Sequence, residues 1–128
     1  MKLDRRLFLS TTAATLAAPM VLGQGRPRVV VIGGGAGGAT AARYIAKDSE
    51  GAIDVVLIEP TRKYYTCFFS NLYLGGLKEI EDIGHTYGTL AAAGVNVVHD
   101  WAVGVDRSAR QVSLAGGDVL SYDKLILS

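Results

Sequence analysis

The apolar positions of this chain fall into two kinds of run. Arg28-Val29-Val30-Val31-Ile32 and Ala52-Ile53-Asp54-Val55-Val56-Leu57-Ile58 are β-branched stretches without alternation, the pattern of strands buried on both faces of a parallel sheet. Between them Ala39–Lys47 reads as a helix, and Gly51 ends the unit. Together they predict a complete β-α-β unit. Leu77–Ile83 and Tyr87–Ala93 predict one or two helical turns, broken at Gly84 and ended by Gly94. Val95–Val98 predicts a third strand of the same sheet. Ala102–Asp106, Gln111–Leu114 and Asp118–Ser121 predict three short strands, with Gly116-Gly117 as the hairpin between the last two. Lys124–Ser128 reads as part of a further parallel strand.

The first 25 residues obey a different logic. Asp4-Arg5-Arg6-Leu7-Phe8-Leu9-Ser10 puts paired arginines before an alanine- and threonine-rich apolar stretch, Leu7 to Leu22. That stretch is shorter than the roughly 20 residues needed to span a bilayer, so no transmembrane segment is expected. It shows no clean 3.6-residue period, and Pro19 would interrupt a helix. A charged start, a short apolar middle and small residues near Ala17-Ala18 predict a signal peptide over residues 1–25. The arginine pair with Phe8 gives it the look of a twin-arginine signal, hence export to the periplasm.

Composition changes this picture only by exclusion. The chain has 128 residues, 49% apolar and 20% charged, which fits one modest globular domain and excludes a disordered or collagen-like chain. Residues 1–25 hold three basic groups and one acid, leaving 10 basic and 11 acidic groups, a net of −1, on the remainder. Such a body has no basic surplus for nucleic acid. One cysteine and two well-separated histidines give neither a disulfide framework nor a zinc ribbon.

The glycines carry the chemistry. Gly33, Gly35 and Gly38 satisfy G-x-G-x-x-G between a strand and a helix. Gly33 permits a tight turn, Gly35 lets the backbone approach a pyrophosphate, and Gly38 lets the helix pack close to the sheet. The helix start then offers free N–H groups and a partial positive charge to phosphates. Glu59 lies 21 residues after Gly38, at the end of the second strand. A carboxylate there can accept hydrogen bonds from both ribose hydroxyls of an adenosine and would repel a 2′-phosphate. The candidate cofactor-binding residues are therefore Gly33, Gly35, Ala36, Gly37 and Gly38 of the loop, with Glu59 and Pro60. The other reading of Glu59 is a solvated residue at a strand end.

The segment after Glu59 chooses the dinucleotide. Thr61–Asn71 is an aromatic-rich loop holding the only cysteine, Cys67. Cys67 lies eight positions after Glu59, a reach of roughly 26 Å when extended. That suffices to run from the adenosine ribose along an extended FAD towards its isoalloxazine ring, which aromatic side chains would bury.

Residues 29–42, Leu57-Ile58-Glu59-Pro60, Tyr64-Tyr65-Thr66-Cys67-Phe68-Phe69-Ser70-Asn71 and Val97-Val98-His99-Asp100 resemble the flavoprotein subunit of flavocytochrome c sulfide dehydrogenase. The likeness runs from about residue 28 onward. It implies a Rossmann-like FAD-binding domain of the glutathione-reductase type, α/β with a β-meander, of which residues 26–128 would be the N-terminal, incomplete part. It implies sulfide as substrate and a c-type cytochrome subunit as partner. It implies that Cys67 forms a thioether to the 8α-methyl of FAD, and that the backbone near Ala102 faces the adenine. The residue type suits this chemistry, because a thiolate is the best side-chain nucleophile for an electrophilic flavin methyl. The alternative for Cys67 is a small buried hydrophobe. The family's redox-active cysteine pair and second dinucleotide domain are absent from this sequence, so the chain alone is expected to be inactive. His85 and His99 read as structural, and Trp101 as a packing residue. Two other classes stay open: a sulfide:quinone oxidoreductase or type II NADH dehydrogenase, and a non-catalytic dinucleotide-binding or electron-transfer module.

Overall fold

The computed structural model describes residues 25–128; the expected export signal lies outside them apart from Gly25. The β-branched runs form strands β1 (Arg28–Ile32) and β2 (Asp54–Ile58), joined by helix α1 (Ala36–Asp48). They pair in parallel with Val29 opposite Val55 and Val31 opposite Leu57. The helix begins three residues earlier than its apolar pattern suggested. Gly37 and Gly38 are poor helix formers, but burial of Gly38, Ala42 and Ala46 on one stripe lets α1 lie close against the sheet, and that packing outweighs propensity.

After β2 come β3 (Lys63–Tyr65), α2 (Ser70–Leu74), a 3-10 turn (Ile80–Ile83) and β4 (Gly84–Thr86). Next are α3 (Gly88–Ala92) and β5 (Asn96–Val98). The chain continues as β6 (Ala102–Asp106), β7 (Gln111–Leu114), β8 (Val119–Ser121) and β9 (Lys124–Leu127). The parallel sheet has the order β5-β2-β1-β9, and β6-β7-β8 is an antiparallel meander. The expected α/β class, third strand, meander and further parallel strand all stand. The region from 61 to 94 departs from expectation, because β3 and β4 pair antiparallel, Tyr64 opposite His85. The segment expected as a plain loop and two helical pieces thus contains a two-stranded sheet.

Strand alternation sorts the core into two layers. Val29, Val31, Val55 and Leu57 pack with Ala42, Ala46, Tyr87 and Val95. Val30, Val56 and Ile58 pack on the other face with Val112 and Leu114 of the meander. The β1 and β2 valines are therefore covered on both sides, as their unbroken apolar pattern required.

Candidate glycine-loop cofactor site

The carboxyl ends of β1, β2, β5 and β9 converge on one edge, where the chain leaves β1 for α1 on one flank while β9 lies on the other. Open α/β sheets bind ligands at such a reversal. The glycine loop occupies it, and the three motif glycines meet different constraints. Gly33 has φ +102°, and a Cβ there would run into the carbonyl oxygen of Ser128. At Gly38 a Cβ would collide with the Gly33 carbonyl oxygen, so the third glycine is a packing requirement. Around Gly35 a Cβ would meet nothing within 4 Å, and its φ of −66° suits any residue. Nothing in the chain itself demands glycine there, which fits a position kept bare for a ligand.

Glu59 does something the motif did not announce. Its carboxylate accepts the Gly34 N–H at 2.8 Å, the Thr61 N–H at 2.9 Å and the Thr61 hydroxyl at 2.6 Å. Partial burial opposes its charge, but the Thr61 hydroxyl, the Gly34 and Thr61 N–H groups and nearby His99 outweigh that and hold its pKa below the ordinary carboxylate value. A carboxylate offers about four lone-pair positions, and three are taken here. The expected grasp of both ribose hydroxyls is thus reduced to one free position unless Thr61 lets go.

Three further residues of this site were not legible as site residues. Tyr87, buried at 6% exposure, donates its hydroxyl to the Gly34 carbonyl at 2.9 Å. Its ring lies 5.9 Å from that of His99 at a tilt of 57°, and His99 Nδ1 lies 3.0 Å from the Glu59 carbonyl oxygen. Thr61 is the third. Burial and the Glu59 charge push the Tyr87 hydroxyl above its ordinary value, so it keeps its proton at neutral pH. The structural reading of His99 therefore fits its hydrogen bond, while Tyr87 was read only as part of a helical turn. Tyr87 forms a wall of two cavities, one of about 240 Å³ lined also by Gly34, Gly35, Tyr64 and His85, the other of about 500 Å³ with Arg62, Asn96 and His99.

Ala36 and Gly37 open α1, Pro60 comes directly after Glu59, and Ala102 starts β6, half-buried against the meander core. Cys67 is exposed among the described residues, not enclosed as the small-hydrophobe alternative expects. It lies between β3 and α2, where the Ser70 hydroxyl donates to the Cys67 carbonyl at 2.8 Å. Phe68 and Phe69 beside it are 60% and 64% exposed. Trp101, expected to pack, is 65% exposed; it stands in the turn before β6 and outside both core layers.

The sequence profile of the pyridine nucleotide-disulphide oxidoreductases matches residues 27–128. The chain belongs to that family. It is a family of flavin-dependent oxidoreductases, and the residues assembled here fit such a cofactor: a bare Gly35, a helix start and an anchored carboxylate. The sulfide dehydrogenase (flavocytochrome c) flavoprotein chain of Chlorobaculum thiosulfatiphilum is 51% identical over 47 residues, 37% of this chain and 96% of that one. The resemblance to this kind of subunit holds. Among solved structures, the sulfide:quinone oxidoreductase of Aquifex aeolicus is 26% identical, with a TM-score of 0.69 over 79% of this chain and 24% of its own. The water-forming NADH oxidase of Lactobacillus brevis shares the fold at 20% identity and a TM-score of 0.66, over 80% of this chain and 24% of its own. This chain spans about a quarter of the length of those two solved proteins. Among the described residues no helix is long and apolar enough to cross a membrane.

Proposed function

We propose that residues 26–128 are part of the FAD-binding domain of a periplasmic flavoprotein that oxidises sulfide and passes electrons to a c-type cytochrome subunit. The observation that carries this reading is the 51% identity to a flavocytochrome c flavoprotein chain. Gly33, Gly35, Ala36, Gly37 and Gly38 would hold the pyrophosphate, Glu59 and Pro60 the adenosine ribose, and the backbone near Ala102 the adenine. The exposed Cys67 would join the 8α-methyl of the flavin through a thioether, the S–H and one methyl C–H being lost and their two protons and two electrons passing to the flavin ring, which its electron acceptor would then reoxidise. Bound FAD would accept two electrons from sulfide and release them singly to a haem. Because such a link prevents loss of a cofactor that could not be replaced outside the cytoplasm, it agrees with export of a folded, loaded protein by way of Arg5-Arg6.

The test is to mix the full-length protein with sulfide and monitor reduction of a c-type cytochrome and of a water-soluble quinone separately. Sulfide-dependent cytochrome reduction, with quinone reduced much more slowly, is the expected result. The converse would favour a second reading, a quinone-reducing enzyme, for which the likeness to the Aquifex aeolicus enzyme speaks. Reduction of neither acceptor would favour a non-catalytic module.

A further inference from the structure

We propose that Tyr87 is a positioning residue for phosphate binding: its hydroxyl turns the Gly34–Gly35 peptide so that the Gly35 N–H faces the cofactor's pyrophosphate. This rests on the FAD reading and adds to it a residue 49 positions beyond the glycine motif. A trans peptide unit carries its C=O and N–H on opposite sides. The Gly34 carbonyl is held by Tyr87 at 2.9 Å, so the Gly35 N–H of the same unit points away from Tyr87. Around Gly35 the space is open, and among the described residues its N–H has no hydrogen-bond partner.

Such a fixing group is needed because two successive glycines leave this peptide freer to rotate than any other pair would. Its neighbours are fixed from elsewhere, through the Gly34 N–H on Glu59 and the Gly35 carbonyl, which accepts the Ala39 N–H at 2.9 Å, but the Gly34–Gly35 unit between them is bonded by Tyr87 alone among the described residues. Tyr87 is itself well held. Its backbone carbonyl accepts the N–H groups of Leu90 and Ala91 at 3.0 Å each, and its ring sits against His99. A Cβ on Gly34 would fall 2.7 Å from the Tyr87 hydroxyl and 2.8 Å from the Glu59 Cγ, so Gly34 is glycine to let these two residues close on it. The latch closes a ring, since His99 returns to the Glu59 backbone.

The experiment uses the full-length protein with Cys67→Ser, so that FAD binds reversibly, and compares it with the same protein carrying Tyr87→Phe. Phenylalanine keeps the buried ring on His99 and removes only the hydroxyl. FAD is titrated directly, and ADP and adenosine are titrated as competitors. Tyr87→Phe should weaken FAD and ADP by about three- to tenfold, the scale of one lost hydrogen bond, and leave adenosine within about twofold. Equal weakening of ADP and adenosine would show a merely structural role and overturn the proposal, as would unchanged ADP affinity. If the Cys67→Ser parent binds no FAD, the FAD reading itself fails.

Discussion

Gly35 and Gly38 stand three residues apart in one motif, yet alanine at each should do opposite things. At Gly38 the new methyl would meet the Gly33 carbonyl oxygen, a backbone atom that cannot swing aside. Overpacking of this kind costs about 1–3 kcal/mol, or about 4 °C or more in Tm for a domain of this size. At Gly35 the methyl enters open space with an ordinary φ. Alanine is a poorer N-cap than glycine by roughly 0.5–1 kcal/mol, and it recovers about 0.4–1 kcal/mol by restricting the unfolded chain. The two nearly cancel, so the stability of Gly35→Ala should stay within about 1 kcal/mol of the parent. Its ligand binding should not. A methyl where a phosphate must approach the backbone loses charge-assisted hydrogen bonds of about 1.5–3 kcal/mol, a ten- to hundredfold loss of FAD affinity. The assay pairs urea denaturation of the cofactor-free protein with FAD titration, both in the Cys67→Ser background. A Gly35→Ala protein that binds FAD normally, or a Gly38→Ala protein as stable as the parent, would refute this division of labour.

Other consequences are open to direct measurement. Because the folded-state pKa of Glu59 is lowered from 4.5, its contribution to stability is present above that value and is lost as pH falls through the lowered one. Glu59→Gln should flatten the acid limb of a urea-midpoint profile below about pH 4.5, and an unchanged limb would place the titration elsewhere. Arg28 Nε meets Asp54 at 2.6 Å with both side chains partly exposed; Asp54→Asn should cost about 0.2–1 kcal/mol and the cost should shrink in high salt, as chemical denaturation would show. Replacing Arg5 and Arg6 with lysine should strand a folded, flavin-loaded precursor in the cytoplasm, since paired guanidinium groups are not mimicked by lysine; cell fractionation with the variant still in the periplasm would show that the arginine pair is not an export signal.

Much of the fold was legible because its signals are local. β1, β6 and β7 lie where the apolar runs and turn residues put them, and Gly117, at φ +98°, makes the hairpin that Gly116-Gly117 announced. The β3–β4 pair was not legible. Each strand has three residues, and Tyr64 meets His85 across 21 positions, too short and too distant for a period to register. Gly84, where the sequence marks a helix break, instead opens β4 opposite Tyr65. The same holds for the site. The glycine register and Glu59 could be read from spacing, whereas Tyr87 and His99 reach Gly34 and Glu59 only through the fold; Thr61 reaches Glu59 locally, from two positions away. A buried tyrosine in a short helical pattern carries no mark of the carbonyl its hydroxyl will find.

Attachment of FAD through Cys67 is open to one direct measurement. Full-length wild-type and Cys67→Ser proteins, each shown to contain flavin, are precipitated in acid, and flavin absorbance is read in pellet and supernatant. A serine hydroxyl is too weak a nucleophile at neutral pH to form the link unaided, while the glycine-loop and Glu59 contacts do not involve sulfur. Flavin should therefore stay in the wild-type pellet and pass to the supernatant from Cys67→Ser. Flavin in both pellets, or in neither, would contradict the attachment of FAD to Cys67.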